Sequence, residues 1–91
     1  MSLSPRLMRP IGIMPLAPTG LTATAVSGTE IDLSWTDNAT NETGYYVYRS
    51  ANGLTGWTRI ATLAADSNSY SNTGLTAGSV WFYYVQAIRA V

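Results

Sequence analysis

Chemistry in this chain would have to come from five acidic side chains, Glu30, Asp32, Asp37, Glu42 and Asp66. Glycoside hydrolysis needs two carboxyl groups facing across a cleft, roughly 5 to 9.5 Å apart. Glu30 and Asp32 share one strand face and the other three fall in polar loops, so the spacing forms no such pair. The sequence has no histidine and no cysteine. That removes the usual general base, the Ser-His dyad, imidazole and thiolate metal ligands, and any disulfide. The chain therefore reads as a non-enzyme without a cofactor.

The densest group of oxygen-bearing side chains is the stretch DNATNET, from Asp37 to Thr43. Asp37, Asn38, Asn41 and Glu42 could offer oxygens to a calcium ion, but their spacing is not that of an EF-hand, and one loop supplies few ligands. Asn and Asp side chains bonding their own backbone account for the same composition, so a turn is the simpler reading. Asn38-Ala39-Thr40 and Asn41-Glu42-Thr43 also match the glycan acceptor pattern, a signal short enough to arise by chance.

The elements that hold these residues fall into two parts. All four prolines and all three methionines lie in the first eighteen residues. Interior prolines rule out a regular helix there and favour extended backbone. Leu7, Met8, Ile11, Ile13 and Met14 make residues 1–16 too apolar for an ordinary disordered tail, so the segment is expected to be an arm that seeks a surface. Pro10 and Pro15 break its apolar stretch and no small-x-small site follows, which argues against a secretion signal. All five basic residues are arginine and balance the five acids. A balanced chain has no electrostatic footprint for nucleic acid, and no apolar run approaches the roughly 20 residues of a membrane helix.

From Ala17 to Val91 the period becomes two. Ile31, Leu33 and Trp35 alternate with Asp32 and Ser34; Tyr45 and Val47 alternate with Tyr46 and Tyr48. In VWFYYVQAIRAV, Trp81, Tyr83, Val85 and Ala87 alternate with Phe82, Tyr84, Gln86 and Ile88. LTATAV places Leu21, Ala23 and Ala25 on one face, and shorter runs surround Ile60 and Tyr70. Turn-forming clusters such as SGTE, ANGLTG and TGLTAGS separate the runs. Six short alternating runs with no helical periodicity describe an all-β antiparallel sandwich of one domain.

APTGLTATAVSGTEIDLSWTD, TGYYVYRS and SYSNTGLTAGSVWFYYVQAIRA together resemble a fibronectin type III domain of the bacterial kind, over residues 17–91. The resemblance rests on Pro18, Leu21, Trp35, Tyr45, Val47, Tyr70, Leu75, Tyr83, Val85 and Ala87. It implies an immunoglobulin-like fold in which the third and sixth strands are neighbours. Trp35, Tyr45, Tyr70, Trp81 and Tyr83 are then expected in the core. Tyr46, Tyr48, Phe82 and Tyr84 are expected on one outer face, with Trp57 near. Those four are either cross-strand pairs that stabilise the sheet or a contact patch for protein or carbohydrate.

Two departures from the family pattern stand out. Trp81 occupies the place of a tyrosine whose hydroxyl usually bonds back to the backbone. The family has seven strands, whereas six are found before Val91. The sixth is thus expected to present an open edge carrying Trp81, Tyr83, Val85, Ala87 and Arg89, and such edges accept strands. Ile11 and Ile13 of the arm are the candidate donors, within one chain or between chains. The expectation is a structural or interaction module of a multi-chain assembly, in a virion or outside the cell, with protein partners. The alternative is a spacer or weak carbohydrate-binding module from a secreted bacterial polysaccharide-active enzyme.

Overall fold

The computed structural model describes residues 15–89. It contains six strands: β1 (Thr19–Ser27), β2 (Glu30–Thr36), β3 (Gly44–Ser50), β4 (Thr58–Ala64), β5 (Ser69–Asn72) and β6 (Phe82–Ile88). They form two three-stranded sheets, ordered β1-β2-β5 and β4-β3-β6, and every pairing is antiparallel. The antiparallel sandwich expected from the alternation is the observed fold, in the immunoglobulin-like form that the resemblance implies.

Alternation sets which side chains meet between the layers. Tyr45 and Val47 are 0% exposed and Leu33 is 1% exposed, with Trp35 and Ala87 also buried. Successive strand residues point to opposite faces, so these inward positions are two apart in β2, β3 and β6. Leu21, Ile31, Ile60, Leu63, Tyr70, Tyr83 and Val85 pack around them. Fully burying a Val or Leu side chain stabilises by roughly 1.5–3 kcal/mol, so these few residues carry much of the fold.

β3 is the central strand of its sheet, held by β4 on one side and β6 on the other. At Gly44 the backbones of β3 and β4 come close: a Cβ there would lie 2.5 Å from the Leu63 carbonyl oxygen. Glycine is what permits that approach, and the position needs no unusual φ.

Two expectations are corrected, and β1 adds an observation of its own. The last strand is shorter than the run VWFYYVQAIRAV: Trp81 and Arg89 lie just outside β6, because Phe82 pairs with Ser50 and Ile88 with Gly44, the two ends of β3. Trp81 is half-buried rather than part of the core cluster. In β1 only Leu21 is half-buried, and Ala23 and Ala25 are exposed. β1 is an edge strand that touches β6 across the layers, and among the described residues the facing sheet ends at β6. The inward parity of β1 therefore meets little protein.

Candidate functional site

Three places bring polar or aromatic side chains together. The first is the loop between β2 and β3. Tyr45 Oη donates to Asp37 Oδ1 and, at 3.2 Å, to Glu42 Oε2. The Ala39 amide donates to Asp37 Oδ1 at 3.2 Å, and the Asp66 amide to Glu42 Oε2 at 3.1 Å. Oxygens of Asp37, Glu42 and Asp66 lie within 4.8 Å of one another. Calcium takes about six to eight oxygens. Here the Asn38 carboxamide is turned away, donating to Ala17 O and Thr19 Oγ1. The carboxylates of Asp37 and Glu42 already act as acceptors that close the 37–43 and 64–67 turns onto the core tyrosine. Burial, reinforced by Asp37 and then Glu42, raises the Tyr45 hydroxyl well above its ordinary value.

The second place is the outer face of the β4-β3-β6 sheet. Tyr48 and Tyr84 are directly opposite in the register, and their rings stack at 4.5 Å and 12°. Trp57 meets Tyr84 edge-on at 4.9 Å, and Tyr46 meets Tyr48 edge-on at 6.2 Å. The Arg59 guanidinium lies 4.2 Å over the Tyr46 ring. Phe82 sits slightly apart, against Gly53, where a Cβ would come within 2.9 Å of its ring. The structure thus gathers Tyr46, Tyr48 and Tyr84 with Trp57 and Arg59, and each ring spends part of its surface on a neighbour.

The third place is the outer flank of β6. Its other flank pairs with β3, and Tyr83, Val85 and Ala87 point inward from it. Among the described residues no strand pairs with the outer flank. Pro15 and Ala17 line a groove of about 300 Å³ together with Tyr84, Val85, Gln86 and Ala87. The arm residues Leu7, Met8, Ile11, Ile13 and Met14 lie outside the described residues.

One residue of interest is not marked by its type alone. Arg49 follows Tyr45 and Val47 at the same inward parity, so the alternation itself directs a guanidinium between the sheets. It lies 4.0 Å over the Trp81 ring. Trp81 does not reproduce the corner hydrogen bond of a tyrosine: its Nε1 donates to Ser79 Oγ at 3.2 Å, and Ser79 Oγ donates to Thr76 O at 2.6 Å.

The fold and these sites define an immunoglobulin-like β-sandwich whose loops are tied down by its own side chains. Residues 16–91 match the fibronectin type III domain, and the chain belongs to that family. It is 42% identical over 78 residues to exoglucanase B of Cellulomonas fimi, covering 84% of this chain and 6% of that protein. It is 36% identical over 72 residues to a poly(3-hydroxybutyrate) depolymerase of Ralstonia pickettii, covering 79% of this chain and 13% of the enzyme. A solved Fn3-like protein from Clostridium thermocellum is 36% identical with a TM-score of 0.71, covering 82% of this chain and 77% of that one. The chain thus spans a small part of the curated relatives it matches.

Proposed function

We propose that this chain is a non-catalytic accessory module of a larger extracellular polymer-degrading protein, and that it acts as a spacer. The observation that carries this reading is the pair of relatives. One is named for a glucan and the other for a polyester, yet both contain a sequence 36–42% identical to this one within a small share of their length. A unit shared by proteins that cleave glycosidic and ester bonds has no reason to read either polymer. Mutual packing of Tyr48, Tyr84, Trp57 and Tyr46 gives the aromatic face a structural role that needs no polymer, although Phe82 and Tyr84 remain exposed. Neither of these relatives is named as a virion protein, so the extracellular context is favoured over the particle.

Sedimentation with cellulose and with poly(3-hydroxybutyrate) granules tests this. The chain is expected to stay in solution with both and to hydrolyse neither. Retention on one polymer that disappears in the Tyr46→Ala, Tyr84→Ala double variant would replace the spacer with a binding module.

A second reading concerns the open flank of β6. Pro15 and Ala17 lie beside Tyr84–Ala87, which supports the arm as a cover for that flank. Val85 back to Phe82 is about 10 Å at ~3.3 Å per residue, which four residues such as Ile11–Met14 would span if extended. We infer that this segment covers the flank in its own molecule, running parallel to β6. Removing residues 1–14 is expected to speed hydrogen exchange of the β6 amides that β3 leaves unpaired, while the full chain sediments as a monomer. Equal exchange in both proteins, or a dimeric full chain, would count against it.

A further inference from the structure

We propose that the cleft between the two sheets, at the end where β5 finishes and β6 starts, binds a small carboxylate that also carries hydroxyl groups. Sugar acids and short hydroxy acids share that chemistry. The cleft has a volume of about 270 Å³ and opens between Arg49, Tyr70, Asn72, Thr73, Leu75 and Trp81. That is near the lower end of small-molecule sites and suits one sugar-sized ligand.

Charge selects the ligand class. Among the described residues Arg49 is the only charged one lining the cleft, and no acid pairs with it. Its Cζ lies 4.0 Å from the centroid of the Trp81 ring, a cation–π contact. A guanidinium N–H fork matches a carboxylate bidentately, and Arg49 lines the cleft. One guanidinium balances one negative charge, which favours a carboxylate over a phosphate dianion.

The hydroxyl preference comes from Asn72, which is 6% exposed. Its Nδ2 donates to Tyr83 Oη at 2.8 Å, which fixes the carboxamide. Its Oδ1 accepts no hydrogen bond from the described residues, although the residue lines the cleft. That oxygen stays open to solvent in the cleft, so a ligand hydroxyl can donate to it in place of water. The Thr73 hydroxyl lies on the same wall, while Tyr70 and Leu75 offer apolar surface to the carbon skeleton.

The test is a ¹H–¹⁵N NMR titration of the whole chain with galacturonate, 3-hydroxybutyrate, glucose and inorganic phosphate, each to about 50 mM. One charged contact in an open cleft is expected to give a Kd on the order of 1–10 mM. Either acid should shift the Trp81 indole N–H and the Asn72 carboxamide, and the stronger of the two names the source. Arg49→Gln should weaken the acid at least about tenfold, since it removes a charge-assisted hydrogen bond. Arg49→Lys keeps the charge and loses the fork; it should bind between the two and provides the reading if the glutamine variant misfolds. The proposal is overturned if neither acid shifts these signals, if glucose or phosphate shifts them equally, or if a folded Arg49→Gln protein binds as the wild type does. Polymer sedimentation reads a different surface, so the spacer reading and this site fail independently.

Discussion

Replacing Tyr45 by phenylalanine keeps the most buried ring of the core and removes one hydroxyl. That hydroxyl donates a single proton shared between Asp37 and Glu42. A hydrogen bond to a charged group contributes about 1.5–3 kcal/mol. Sharing one proton counts as one bond, and both carboxylates keep a backbone donor, from Ala39 and Asp66. The expected loss is therefore about 2 kcal/mol, a large fraction of what a domain of this size possesses. With a urea m-value of ~1–2 kcal/mol/M, the midpoint should fall by about 1–2 M. Fluorescence follows it directly, because the Trp35 ring lies 5.9 Å from the Tyr45 ring. Adding Asp37→Asn, whose carboxamide can donate to Glu42, should recover part of the loss. A drop below about 0.5 kcal/mol with an unchanged m-value would refute the role given to this hydroxyl, being no larger than an ordinary surface substitution.

Alkaline stability probes the same group. The folded state raises the Tyr45 hydroxyl through burial, then Asp37, then Glu42. Its contribution is fully present below the unfolded value near pH ~10 and is lost as pH rises from there toward the folded value. Tyr45→Phe should flatten that alkaline slope by up to ~1.4 kcal/mol per pH unit, and an identical slope in both proteins would contradict the assignment.

Three further outcomes follow from packing. Gly44→Ala places a Cβ against the Leu63 carbonyl and should lose about 2 kcal/mol or more, whereas Gly28→Ala, whose Cβ meets Ala77 at 3.6 Å, should change stability by less than about 0.5; chemical denaturation compares them. A double-mutant cycle on Tyr48 and Tyr84 should give a coupling of about 0.5–1.5 kcal/mol for the stacked pair, and zero coupling would leave the outer face without its structural explanation. Trp81→Tyr is expected to move the nearby Arg49 side-chain N–H signal in NMR while leaving the Leu33 and Val47 methyl signals in place, because Trp81 touches Arg49 and lies outside the core cluster.

Strand identity was legible where one strand face meets protein. Leu33 and Trp35 in β2, Tyr45 and Val47 in β3, and Ala87 in β6 alternate as the pleat requires, and they are buried. The same rule misleads in β1, where Ala23 and Ala25 have the inward parity but little facing them. It also overran β6, since nothing local to Trp81 or Arg89 says that β3 is seven residues long. In the polar loop, composition pointed to a turn, and turns are what Asp37 and Glu42 close. That they do so through the hydroxyl of Tyr45 depends on a contact no spacing rule supplies.

The sequence by itself determined the period, the number of alternating runs, the absence of imidazole and thiol chemistry, and membership of the fibronectin type III family. These follow from bonds between neighbours along the chain and from residue types. Tertiary structure alone decided that Arg49 meets Trp81, that Tyr48 stacks on Tyr84, and that Asn72 is held by Tyr83. Those partners are brought together by strand register and by the stacking of two sheets, and both are set by the packing of the whole core.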